Sequence, residues 1–186
     1  MDNVWGLVLA GGKSSRMGQA KALLPYKGQR LIDSMVSLLA EITGAPERVL
    51  VSGKVVGHSC IEDEVPGKGP LEGLRCVLKN IPDGDILVVV PVDMPLLTPG
   101  SLKELLLPSL LKENFVRFTE SELPCVLVIS KKTTDVLSAL SEPSVASHKR
   151  SVQGFFAQLA GMTVACGNPR VLVNANTPEE WQEIFK

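Results

Sequence analysis

The sequence predicts an α/β fold, a mostly parallel sheet with helices on both faces. Three observations carry it. Short apolar runs of buried-strand length recur at 4–10 (VWGLVLA), 48–52 (RVLVS) and 86–91 (ILVVVP). Segments of helical periodicity alternate with them. The residues with the strongest chemical character follow directly after these runs, where ligands bind in such sheets.

Taken in order, the first strand ends in Gly11-Gly12, and a polar segment leads to Ala22-Leu23-Leu24-Pro25-Tyr26 and a turn at Lys27-Gly28. An amphipathic helix is predicted over 31–42 and is stopped by Gly44 and Pro46. The second strand, 48–52, is followed by a polar stretch and a very short apolar piece at Cys60-Ile61. A helix over 71–80 precedes the central strand 86–91, and Pro99 opens the next helix, matching its preference for a first turn. Further strands are predicted at 115–119, 125–129, 162–165 and 171–173, and further helices at 131–140, 149–159 and 178–185.

The 186 residues, 45% of them hydrophobic, suffice for the core of one domain spanning 1–186. A net charge of −1 gives no broad basic field for nucleic acid. No apolar run reaches the roughly 18 residues of a membrane span, so no membrane partner is expected. The N-terminus lacks the basic region of a signal peptide. Cys60, Cys76, Cys125 and Cys166 are widely spaced with no Cys-x-x-Cys pair, which fits a reducing cytoplasm better than a disulfide framework or zinc site.

The first candidate site is Leu9-Ala10-Gly11-Gly12-Lys13-Ser14-Ser15-Arg16-Met17-Gly18, with Lys21 shortly after. Paired glycines let backbone approach a ligand, and successive N–H groups can form an anion nest. Arg and Lys beside it suit phosphate. A P-loop would place a glycine at Leu7, and the dinucleotide fingerprint forbids adjacent glycines, so neither motif applies. A solvated basic loop remains an alternative on composition alone.

Three more constellations follow later strands. Asp63 precedes Gly69-Pro70-Leu71-Glu72-Gly73, glycines straddling a helix start whose N–H groups could face an anion or a ribose; a plain loop-to-helix turn explains the spacing equally well. Asp93, in Val92-Asp93-Met94-Pro95 just past the central strand, suits Mg²⁺, which prefers a carboxylate with phosphate oxygens and water; helix capping is the competing use. Near the C-terminus, Asn174-Ala175-Asn176-Thr177-Pro178-Glu179-Glu180 contains a capping box at Thr177 and Glu180, leaving Asn174 and Asn176 without a local role. Ser147-His148-Lys149-Arg150 is a basic cluster of the kind that usually faces solvent.

Together these motifs resemble the molybdenum cofactor guanylyltransferases (the MobA type), nucleotidyltransferases with a Rossmann-like fold. The resemblance rests on Ala10-Gly11-Gly12 with Arg16-Met17-Gly18 and Lys21, on Asp63 with Gly69-Pro70-Leu71, on Asp93-Met94-Pro95, and on Asn174-x-Asn176-Thr177-Pro178. It spans nearly the whole chain. It implies transfer of GMP from GTP to the terminal phosphate of molybdopterin, with pyrophosphate released and Mg²⁺ as the metal. Arg16, Lys21 and Asp93 would be catalytic. Leu9, Ala10, Gly11, Gly12, Lys13, Ser14, Lys21, Asp63, Gly69, Pro70, Leu71 and Asp93 would bind nucleotide. Lys149, Arg150, Asn174 and Asn176 would face the pterin, and molybdenum-insertion proteins and molybdoenzyme apoproteins or their chaperones would be partners. Relatives that use CTP more often carry Ala-Ala-Gly in the first loop. The chain departs from the family at Ala20, where an Asp is common, and at Gly53-Lys54, where an Asn helps read guanine. These departures bear on base selectivity more than on transfer chemistry. They keep a CTP-using relative, or one acting on another phosphorylated acceptor, as alternatives, beside a non-catalytic nucleotide or cofactor carrier.

Overall fold

The computed structural model describes residues 3–10, 21–65, 68–109, 113–142, 144–146 and 150–184. Among the described residues its sheet has seven strands. In chain order they are β1 (Val4–Leu9), β4 (Val49–Ser52), β5 (Cys60–Ile61), β6 (Ile86–Pro91), β7 (Phe115–Phe118), β8 (Cys125–Val128) and β9 (Met162–Val164), arranged β5-β4-β1-β6-β8-β7-β9. A separate hairpin, β2 (Pro25–Tyr26) and β3 (Gln29–Arg30), turns at Lys27 and Gly28. Both have positive φ, 49° and 82°, the backbone of a type I′ turn.

The sheet is parallel except at β8, which runs against both β6 and β7. The connection 119–124 between β7 and β8 is too short for a crossover, so those two strands must be antiparallel. Alternation along the strands separates two apolar layers. Val4, Val8, Val88 and Val90 pack with α1 (Leu31–Thr43) and α3 (Pro99–Ser109). Leu7, Leu9, Leu87 and Val89 pack with α2 (Pro70–Leu78), α4 (Lys131–Ser141) and α5 (Val152–Phe156). Gly6 permits the close approach of α1, since a Cβ there would lie 3.0 Å from Leu39 Cβ.

Two expectations are corrected. The apolar triplet 171–173 is not a strand: a 3-10 turn, Pro169–Leu172, replaces it, with Pro169 at its start and the Asn168 side chain accepting from Arg170 N–H. The helix expected over 149–159 is, among the described residues, only the five-residue α5, capped by Ser151. The last helix, α6, is Pro178–Glu183.

The start of α1 is pinned to the β4–β5 connection by an ion cluster. Arg30 donates through Nε and Nη2 to Asp33 at 2.8 and 2.7 Å, its Nη1 reaches Val56 O, and His58 Nε2 lies 2.8 Å from Asp33 Oδ1. The Arg30 guanidinium, assisted by His58, holds the Asp33 carboxyl down at about 2. A carboxyl lowered from an unfolded value of about 4 stabilises the fold above that pH and loses the contribution as pH falls through its folded value. Asp33→Asn is therefore expected to lower the melting point at neutral pH and to flatten part of the decline below about pH 4. Melting curves of both proteins across the acid range check this.

Candidate functional site

β1 is followed by α1 on one flank, while β6 pairs with β1 on the other, so the connections diverge at the carboxyl ends of these two strands. Such a divergence opens a crevice. Here it holds a cleft of about 490 Å³, within the range of small-molecule sites. Leu9 and Ala10 form one edge and Pro91, Val92 and Asp93 the next. The two strand ends are locked together by Val92 N–H donating to Leu9 O at 3.1 Å.

Lys21 lies in a 3-10 turn, Lys21–Leu23, at the same edge. Its ammonium donates to Asp93 Oδ2 at 3.0 Å and to Asn176 Oδ1 at 2.5 Å. The Lys21 and Asp93 side chains are 17% and 23% exposed, enough burial to sharpen their attraction while leaving both open to the cleft.

The C-terminal segment is brought here by the capping box read from the sequence. Thr177 Oγ1 accepts from Glu180 N–H, and Glu180 Oε2 accepts from both Thr177 N–H and Asn176 N–H. Ala175 N–H donates to Asp93 O at 2.8 Å. Thus Thr177 and Glu180 aim Asn176 at Lys21, and Asn174 lines the cleft.

Pro70 contributes the α2 side of the cleft. Gly69 caps α2 with φ 83° and ψ −171°, a conformation that requires glycine. A Cβ on Gly73 would stand 2.2 Å from Ser52 Oγ and 3.3 Å from Asp63 Oδ1, so the missing side chain lets α2 close on β4 and on Asp63. Asp63 Oδ1 is buried and accepts no hydrogen bond among the described residues. Desolvation, together with the nearby Glu72 charge, raises the Asp63 carboxyl above its ordinary value. The Leu71 side chain turns into the core, leaving its backbone at the first turn of α2 to meet a ligand.

Leu9, Ala10, Lys21, Pro70, Asp93 and Asn174 therefore share one cleft, with Asn176 bonded into it and Asp63, Gly69 and Leu71 beside its α2 wall. Gly11, Gly12, Lys13, Ser14, Arg16 and Lys149 lie outside the described residues. Arg150 is half-buried directly before Ser151, which reaches the cleft, but does not itself line it. Lys54 forms a surface ion pair with Glu62 instead of entering the cleft. The far wall was not foreseen: Ser121, Glu122 and Leu123 of the β7–β8 connection, with Ser151 and Gln153 at the head of α5. Their position beyond strand ends was a usable signal, but nothing in their residue types distinguishes them from ordinary turns.

Asp93 is the residue suited to a divalent cation. Lys21 takes Oδ2, while Oδ1 accepts no hydrogen bond among the described residues and the carboxylate stands at the cleft. One carboxylate is the usual protein share of an Mg²⁺ site completed by phosphate oxygens and water. Glu64, Glu72 and Cys76 also converge, but Arg75 already bonds both glutamates, and this cluster is an ion network rather than a cation cage.

Comparison with known proteins shows the family and the fold. A family model described as the MobA-like NTP transferase domain matches residues 6–160. A protein of Xanthomonas euvesicatoria named molybdenum cofactor guanylyltransferase is 41% identical over 180 residues, covering 97% of this chain and 93% of that relative. A protein of Carboxydothermus hydrogenoformans, named probable molybdenum cofactor guanylyltransferase, is 29% identical and covers all of this chain and 97% of its own length. Among solved structures, molybdopterin-guanine dinucleotide biosynthesis protein A from Archaeoglobus fulgidus superposes with a TM-score of 0.75 at 18% identity, covering 96% of this chain and 95% of that one. The bifunctional IspDF of Campylobacter jejuni gives 0.72 at 15% identity over 97% of this chain and 53% of that chain, a likeness of fold.

Proposed function

The chain belongs to the MobA-like NTP transferase family, and from that premise we propose that it transfers GMP from GTP to the terminal phosphate of molybdopterin, releasing pyrophosphate and forming molybdopterin guanine dinucleotide. The observation that carries the guanine assignment is Asp63: a buried carboxylate oxygen without a donor among the described residues, beside the helix start that borders the Lys21–Asp93 cleft. Guanine presents N1–H and an exocyclic amine as adjacent donors, which a carboxylate accepts in parallel. Cytosine has no such pair.

In the reaction, an oxygen of the acceptor phosphate forms a bond to the α-phosphorus of GTP as the bond to the β-phosphate bridge breaks, and pyrophosphate leaves with that electron pair. A phosphate monoester is largely dianionic near neutral pH, so no side chain need remove a proton. The chain's task is to align the two phosphates and balance charge. Lys21 supplies an ammonium at the mouth of the β1–β6 crevice, oriented by Asn176, and Arg16 would add a second cation. Asp93 would hold Mg²⁺, whose chemistry is to neutralise phosphate charge and favour departure of pyrophosphate. Asn174, Asn176, Lys149 and Arg150 would face the pterin substrate.

The test is pyrophosphate release with molybdopterin and GTP, CTP or ATP in turn, on wild type and Asp63→Ala. GTP should be preferred by wild type. Asp63→Ala should lose about 100-fold in kcat/KM with GTP, the size of one or two charge-assisted hydrogen bonds. The same variant should melt higher without ligand, by about 1 kcal/mol of stability, because it removes an unmet buried carboxylate. Preference for CTP would overturn the guanylyl assignment, and nucleotide binding without pyrophosphate release would make the protein a carrier.

A further inference from the structure

We infer that Glu72, through Arg75, is a positioning residue for base selectivity, holding the segment that carries Asp63 against the first turn of α2. This rests on the guanine assignment just proposed. Glu72 is a carboxylate only 2% exposed in the first turn of a helix whose neighbouring positions are apolar. Burying a charge there is costly, and an aliphatic side chain would pack with less penalty. The compensation is specific. Arg75 donates to both Glu72 oxygens, at 3.0 and 2.8 Å, and Glu72 Oε1 also accepts Val65 N–H at 3.1 Å. The same Arg75 Nη2 reaches Glu64 Oε2 at 2.6 Å, and Lys79 bonds the other Glu64 oxygen.

The two residues directly after Asp63 are thereby tied to α2, one by its side chain and one by its backbone N–H. Asp63 follows them into place, with Oδ1 packed beside Gly73 and no donor of its own among the described residues. The network does not touch the cleft residues Lys21 or Asp93, so its influence falls on the base rather than on the phosphates.

Inosine triphosphate separates a positioning role from a merely structural one, because it keeps N1–H and lacks the exocyclic amine. Glu72→Ala is expected to raise KM for GTP about 10- to 100-fold with kcat nearly kept, the scale at which displacement of a contacting group is felt. The loss with inosine triphosphate should be smaller, so the preference for GTP falls toward that of Asp63→Ala. Asp63→Ala/Glu72→Ala should be no worse than Asp63→Ala alone, the mark of residues acting through one contact. Glu72→Gln retains an acceptor for Val65 N–H and should recover part of the preference. Glu64→Gln tests the same tie from a half-exposed position should Glu72→Ala fail to fold. Equal losses with the two nucleotides, or additive losses in the double variant, would overturn the inference while leaving the guanine assignment intact. A wild type indifferent between GTP and inosine triphosphate would overturn both.

Discussion

Asp93→Asn is expected to slow transfer about 100- to 1000-fold, the loss typical of removing one preorganised electrostatic group. The substitution keeps size and shape. It also keeps the backbone bond from Ala175 N–H to Asp93 O that joins the C-terminal segment to β6, so the fold should hold. What disappears is the charge that balances Lys21 and would receive a divalent cation. The defect should therefore be largest in the presence of Mg²⁺, and the cation should no longer strengthen GTP binding. Single-turnover pyrophosphate release across a metal titration measures this, alongside GTP affinity with the metal chelated. A variant that retains a wild-type metal response would remove Asp93 from the proposed mechanism.

Lys21→Ala should be as damaging, with a different signature. In the proposed reaction its ammonium would meet phosphate in the ground state as well as during bond cleavage, so KM for GTP should rise while kcat falls about 100-fold or more. Lys21→Arg is not expected to restore the rate. Asp93 at 3.0 Å and Asn176 at 2.5 Å converge on one nitrogen, a geometry for a point charge rather than a planar fork. Because Lys21 and Asp93 share a bond, Lys21→Ala/Asp93→Asn should lose less than the product of the single losses. Steady-state kinetics of the three variants with GTP tests the pair. Multiplicative losses would mean that the two residues act apart.

Asn176 illustrates how local and distant information combine. The Thr177–Glu180 box is a four-residue pattern, and the structure forms it as expected. That the box also fixes Asn176 N–H, and so sends Asn176 Oδ1 to an ammonium 155 positions earlier, depends on where α6 docks. Glu72 is a sharper case. In the sequence it is one acid inside a glycine-rich helix start, and only packing shows it sealed from solvent beneath Arg75. Lys54 runs the other way, an apparent base-reading position that the structure gives to an ion pair with Glu62.

The sequence by itself determined the alternation of buried strands and amphipathic helices, a turn at Lys27-Gly28, the α6 cap and the placement of Asp93 just beyond a central strand. Those features depend on periodicity, on backbone preferences of glycine and proline, and on contacts within a few residues. Tertiary structure alone decided the reversed direction of β8, the 3-10 turn in place of a strand at 169–172, the far wall at Ser121 to Leu123, and the meeting of Lys21, Asp93 and Asn176. Each of these depends on which strand ends become neighbours across the sheet. That choice is made by burial of whole faces, and no short window of residues contains it.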